Sequence, residues 1–112
     1  MKSIVKGVQF DLTRALKEHV EAHLVQQIAA FYDDAAAEME VHLRDVNGPK
    51  GGEDQECSVT LRMPGLPSVH VSERTEDMYK SIDLVRDRLE RLVKRELAKR
   101  REPTAAPIPT SL

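Results

Sequence analysis

The chain has 112 residues, a length that suits one domain and leaves little room for a second. Hydrophobic residues make up 40% and charged residues 32%, which is the balance of a soluble globular protein, while aromatic residues make up only 4%. No apolar run reaches the roughly 20 residues that cross a bilayer, and no signal peptide is evident. Cys57 has no second cysteine with which to form a disulfide. We therefore expect a cytoplasmic protein.

The first half of the chain predicts a strand, a helix and a second strand. Residues 2–8 predict a short strand, and residues 11–31 predict a helix with Asp11 as its N-cap. Apolar side chains recur every three or four residues along that helix and form one stripe: Leu12, Leu16, Val20, Leu24, Ile28 and Phe31. Residues 38–44 alternate between apolar and polar side chains, which is typical of a half-buried strand.

The second half predicts two more strands and a long helix. Residues 45–54 carry the turn signals of a loop, and residues 56–62 alternate between apolar and polar side chains, which predicts a strand. Residues 64–67 predict a turn, and Val69 and Val71 mark a fourth short strand. Residues 76–101 predict an amphipathic helix whose apolar stripe has five members: Met78, Ile82, Val85, Leu89 and Leu92. Residues 102–112 contain three prolines and are expected to form a flexible C-terminal tail.

The element order β-α-β-β-β-α predicts an α+β fold. A helix between the first two strands implies a parallel pair with a right-handed crossover, and the later strands are close enough in sequence to pair as a meander. We expect a two-layer domain over residues 1–101, with two helices packed on one face of a four-stranded sheet and a polar opposite face.

The charge is unevenly distributed along the chain. The formal net charge is −2, yet residues 80–101 hold nine basic and four acidic side chains, a net charge of +5. Arg88, Arg91, Arg95 and Lys99 are separated by three, four and four residues, which places them along one flank of the apolar stripe. Long cationic side chains at successive turns are what phosphate groups require. A second interpretation stays open, in which these residues are only the solvated face of a surface helix. Surface helices often carry such charges, and basic groups near a helix C-terminus complement its dipole.

The sequence offers no convincing catalytic constellation, so we expect a protein that is not an enzyme and needs no cofactor. His19 and His23 are spaced i, i+4 and could present two imidazoles on one helix face, but no third helical ligand is obvious and we expect no metal site. Cys57 alternates with Val59 and Leu61 on the inward side of its strand, which favours a buried structural thiol over a nucleophile.

Several segments resemble the family of ribosome hibernation-promoting factors and ribosome-associated inhibitors. The most specific part is the pattern D-M-Y-x-x-I-D followed by D-R-L-E-R, in residues 77–83 and 87–91. The strand that contains Gly7, the segment 12–20, the Pro64-Gly65 pair and residues 69–73 fit the same family. The resemblance covers roughly residues 2–101, and the family's fold has the order predicted above. That fold is similar to a double-stranded-RNA-binding domain.

The resemblance implies a translation inhibitor that binds the small ribosomal subunit and its rRNA near the decoding centre and promotes hibernation under stress. It implies no membrane, no small-molecule substrate and a monomer off the ribosome. Carried onto this sequence, the rRNA-binding residues are seven basic side chains: Lys80, Arg86, Arg88, Arg91, Lys94, Arg95 and Lys99. Tyr79 is a weaker candidate that can equally be a packing residue. The chain resembles the short form of the family, without an additional C-terminal domain, and its 45–54 loop is longer and richer in glycine than is typical.

A second hypothesis is a protein-interaction regulator, for example of an alternative sigma factor, without direct RNA binding. Its binding surface would be the acidic remainder of the domain or the exposed sheet face. Recovery from cells with ribosomal RNA would favour the first hypothesis, and recovery with an RNA-free protein partner would favour the second.

Overall fold

The computed structural model describes residues 1–8, 10–46 and 54–101. The predicted tail, residues 102–112, and most of the predicted 45–54 loop lie outside these residues. The described strands are β1 (Lys2–Val8), β2 (Glu38–Asp45), β3 (Gln55–Arg62) and β4 (Val69–Thr75). The helical segments are α1 (Arg14–Val20), a π-helical turn (Glu21–Val25), α2 (Gln26–Ala29) and α3 (Met78–Arg101). The first three helical segments follow one another directly and are called the first helix below.

The four strands form one sheet in chain order, β1-β2-β3-β4. β1 pairs parallel with β2, and the other two pairs are antiparallel, which confirms the predicted α+β fold. One row of the register aligns four valines across the sheet, Val5, Val41, Val59 and Val71, and the last three are almost completely buried. Because neighbouring residues of a strand point to opposite faces, the valine row fixes which face meets the helices and leaves the other face polar.

The first helix begins later than the sequence pattern indicates. Asp11 was the predicted N-cap, but the cap is Thr13, whose hydroxyl accepts a hydrogen bond of 3.2 Å from the backbone nitrogen of Leu16. Both residue types can cap a helix, and only the position of the bond distinguishes them. The prediction of Asp11 is therefore wrong, and Asp11 lies in exposed non-helical chain before the helix.

A π-helical turn interrupts the first helix and keeps its apolar stripe on the sheet. Leu16, Val20, Leu24 and Ile28 are all buried, although their strict spacing of four would rotate the stripe by about 40° per step on a regular α-helix. A π turn, with bonds from residue i to i+5, takes more residues per turn and opposes that rotation.

No helix in the described part of the chain is long and apolar enough to span a bilayer.

α3 packs on the sheet through Met78, Ile82, Val85, Leu89 and Val93, each of which is 5% exposed or less. The predicted stripe ended on Leu92, which is only partly buried, and Val93 takes the core position instead. A buried serine fixes the start of the helix against the sheet: Ser81 donates a hydrogen bond of 2.6 Å to the backbone carbonyl of Gln55 in β3.

Two glycines are required by the backbone. Gly65 has a φ of +74° in the turn between β3 and β4, and Pro64 precedes it. The backbone nitrogen of Leu66 donates a hydrogen bond to the carbonyl of Met63, which completes a type II turn. At Gly7, a Cβ atom would stand 2.4 Å from the backbone oxygen of Phe10, so no larger residue fits without moving the chain.

We therefore expect Gly7→Ala to lower the free energy of unfolding by about 1–3 kcal/mol, since the added methyl group displaces backbone and not a flexible side chain. Urea denaturation measures the change. Lys6→Ala, at the neighbouring exposed position, serves as the control and should stay within about 0.5 kcal/mol of the parent protein. Equal stability of the two variants would contradict the close approach at Gly7.

The thiol of Cys57 is buried between β2 and β4, as the alternation of its strand predicted. Burial, with a smaller contribution from the Glu56 carboxylate, raises the pKa of Cys57 to about 12. The native protein should consequently react with a disulfide reagent at pH 8 at least about a hundredfold more slowly than the urea-unfolded chain. Comparable rates in the two states would show that the thiol is accessible.

Candidate nucleic-acid interface

The seven basic side chains predicted to bind rRNA all lie on α3, but the helix distributes them over different sides. Arg88, Arg91 and Arg95 line one shallow groove together with Leu92, on the flank of α3 that faces the edge strand β4. We call these three arginines the basic ridge. Seven residues separate the first and last of them, a rise of about 10 Å along the helix, which is long enough to meet more than one phosphate of a nucleic-acid backbone.

Arg88 is tied to the sheet. Its guanidinium donates to the Glu73 carboxylate and to the backbone carbonyl of Ser72, both in β4. Glu73 follows Val69 and Val71 on the helix-covered face of β4 and is partly buried there. A carboxylate on that face needs a cationic or hydrogen-bonding partner, so Arg88 has a structural role in addition to the predicted one.

Arg91 and Arg95 differ from the other five predicted residues because both are exposed and neither has a hydrogen-bond or ion-pair partner among the residues that the structure describes. An unpaired guanidinium keeps its full capacity for a bidentate contact with phosphate. These two side chains are therefore the part of the ridge that is available to a ligand.

The other four predicted residues form local ion pairs, and one of them, Lys99, lies one turn beyond Arg95 on the same flank of α3. Lys80 lies 3.5 Å from Glu76, Arg86 lies 2.7 Å from Asp87, Lys94 lies 2.8 Å from Glu90 and Lys99 lies 3.5 Å from Glu96. A backbone hydrogen bond and the nearby Lys80 ammonium together lower the pKa of Glu76 below its usual range. Exposed pairs of this kind contribute little to stability.

Lys94 and Tyr79 mark the opposite flank of α3, which faces the first helix. The Lys94 ammonium stands 4.9 Å from the centre of the Phe31 ring, and the Tyr79 ring meets the His19 ring edge-on at 4.9 Å. Both contacts join α3 to the first helix or to the residues that follow it. Tyr79 thus packs against His19, although the residue is also 40% exposed.

Sequence reasoning missed two acidic partners. Glu73 could have been found, since a carboxylate that continues the inward alternation of Val69 and Val71 requires a basic neighbour. Asp83 could not, because it lies 2.9 Å from the Nε2 atom of His19 across a separation of 64 residues that no local pattern reveals.

Comparison with known proteins identifies relatives of the whole described domain. Residues 3–101 match the family model described as "Sigma 54 modulation protein / S30EA ribosomal protein". The chain is 31% identical over 96 residues to a protein of Bacillus subtilis (strain 168) named "Ribosome hibernation promotion factor", a match that covers 85% of this chain and 48% of that protein. A protein of the same name from Picosynechococcus sp. is 26% identical over 95 residues, with the same coverage. The chain thus spans about half the length of these curated relatives.

Solved structures with the same fold include the N-terminal domain of Protein Y from Thermus thermophilus. That domain has a TM-score of 0.68 and 28% identity, and the match covers 85% of this chain and 98% of that one. A structure titled as a ribosomal subunit interface protein from Coxiella burnetii has a TM-score of 0.69 at 20% identity, over 88% of this chain and 99% of that one, which shows the fold alone. With its family match extending from residue 3 to residue 101, the chain belongs to the Sigma 54 modulation protein / S30EA ribosomal protein family.

Proposed function

We propose that this chain is a ribosome-associated translation inhibitor that binds the small ribosomal subunit near the decoding centre and promotes ribosome hibernation under stress. Family membership and the names of the two curated relatives support an association with ribosomes. The protein acts by binding in the cytoplasm, not by catalysis, and it is a monomer when off the ribosome. It needs no membrane and no small-molecule substrate.

One observation carries the assignment of the interface. Arg91 and Arg95 lie one helical turn apart on a helix whose rotation is fixed by the core, and both guanidinium groups are exposed and unpaired among the described residues. Ribosomal RNA presents phosphate groups to which such a pair can donate several hydrogen bonds. Arg88 extends the ridge towards the sheet, and its bond to Glu73 holds the ridge in place.

The structure separates the two roles of the ridge by their effects on stability. Arg88→Ala should lower the free energy of unfolding by about 0.5–1 kcal/mol, because it leaves the partly buried Glu73 carboxylate without its cation. Arg91→Ala should change it by less than about 0.5 kcal/mol. Thermal or urea unfolding at low salt measures both. If Arg91→Ala were the more damaging change, the assignment of Arg88 as the structural member would be wrong.

Ribosome binding is best tested with Arg91→Glu/Arg95→Glu, since a glutamate at position 88 would face Glu73 and weaken the fold. We expect the double variant to bind small subunits roughly a hundredfold more weakly, because it loses two charge-assisted contacts worth about 1.5 kcal/mol each. The slope of log affinity against log salt should also fall by about 1.5 to 2. Co-sedimentation with purified small subunits over a salt series measures both quantities.

The matched control is Lys2→Glu/Lys6→Glu, which makes the same change of net charge at two exposed positions on the open face of the sheet. The control should retain most of the affinity. Equal losses in the two variants would mean that only the overall charge matters, and unchanged binding by Arg91→Glu/Arg95→Glu would place the interface elsewhere. Recovery of the parent protein from cells with a protein partner but without RNA would favour regulation of that partner instead.

A further inference from the structure

Three side chains with metal-binding atoms meet between the first helix and α3, on the side of α3 away from the basic ridge. They are His19, His23 and Asp83, and one ligand atom from each lies within 4.8 Å of the others. The Nε2 atom of His19 is 2.9 Å from a carboxylate oxygen of Asp83, and the rings of His19 and His23 are stacked with their centres 4.2 Å apart. We propose that these three residues bind a divalent transition-metal ion of the zinc type.

The two histidines are placed by the π-helical turn. His19 lies in α1 and His23 in the π turn that follows, so the pair spans the place where the helix widens. Two histidines at i, i+4 lie on one helix face, which is a recurring donor pair for zinc. The two imidazole rings stack on this face with an angle of 21° between their planes.

The third ligand comes from α3, and the core fixes its position. Asp83 follows Ile82, which is completely buried, and its carboxylate reaches the first helix at His19. Its carboxylate is about half exposed, and the side chain of His19 is only 18% exposed. The edge of the Tyr79 ring against His19 further restricts the imidazole. On its inner side the site is therefore formed by the restricted His19 imidazole, while its outer side is open to solvent.

The set of donor atoms selects the class of ion. Two imidazole nitrogens and one carboxylate oxygen suit zinc and neighbouring first-row ions, and the open side leaves a fourth position for water. Magnesium and calcium require mostly oxygen ligands and are poorly served by two imidazoles. An ion bound here would cross-link the first helix and α3, and it would stabilise the folded state because the ligands come together only on folding.

The direct test is titration of the chelator-treated full chain with Zn²⁺ in a calorimeter, and with Co²⁺ as a spectroscopic probe. We expect one site per chain with a Kd tighter than about 0.1 mM, and visible absorption bands from bound Co²⁺. At a hundredfold excess of Zn²⁺ over Kd, Tm should rise by about 5 °C or more. Mg²⁺ at the same concentration should leave Tm unchanged.

Two variants report on the ligands and one serves as the control. His23→Ala removes an exposed side chain and should weaken Zn²⁺ binding at least about tenfold while leaving the Tm of the metal-free protein nearly unchanged. Asp83→Asn retains the shape of the side chain but should lose most of the metal affinity. The control is His42→Ala, which removes an imidazole that also lies beside a carboxylate, Glu40 at 3.3 Å, but has no second histidine stacked on it.

The proposal is overturned if the parent protein shows no saturable binding of Zn²⁺, or if His42→Ala reduces the affinity as much as His23→Ala does. It is also overturned if Mg²⁺ raises Tm as much as Zn²⁺. Since the ligands and the basic ridge lie on opposite flanks of α3, the outcome is independent of whether Arg91 and Arg95 bind ribosomal RNA.

Discussion

Burial of one face of α3 against the sheet is the constraint on which every functional feature of this domain depends. Met78, Ile82, Val85, Leu89 and Val93 leave almost no apolar surface exposed, so the helix cannot rotate about its axis without exposing them to water. Full burial of such a side chain is worth roughly 1.5–3 kcal/mol. A fixed rotation gives each remaining position of α3 a fixed environment: one flank lies beside β4, and the other lies beside the first helix.

The pattern of ion pairs on α3 determines which of its charges can act on other molecules. Four of the predicted basic residues are paired with acidic neighbours on the same helix or just before it, and Arg88 is bound to Glu73 across the domain. What remains is a short positive surface at Arg91 and Arg95 on a protein whose net charge is −2. A partner that approaches at random meets a nearly neutral protein, and among the side chains that the structure describes only this flank offers unpaired guanidinium groups to phosphate.

Much of the fold could be predicted because the core is aliphatic and its periodicity is clear. The strand over residues 2–8 was predicted correctly, and the alternation over residues 38–44 and 56–62 identified the buried faces of β2 and β3. The errors occur where several residues could satisfy the same local rule: Thr13 caps the first helix in place of Asp11, and Val93 is buried in place of Leu92. Helical spacing grouped Arg88, Arg91, Arg95 and Lys99 on one flank, and the first three line one groove. Spacing could not reveal that Glu73 engages Arg88.

The π-helical turn affects both the packing of the first helix on the core and the surface on which His19 and His23 lie. Four apolar residues at intervals of four must all reach the sheet, and a regular α-helix would carry the last of them about 120° away from the first. The wider turn at Glu21–Val25 removes part of that rotation. His23 lies within this turn and stacks on His19, whose Nε2 atom is 2.9 Å from the Asp83 carboxylate of α3. The spacing of Leu16, Val20, Leu24 and Ile28 therefore accounts for the place of the π turn in the first helix, and the two imidazoles and the carboxylate meet on the other side of the same turn.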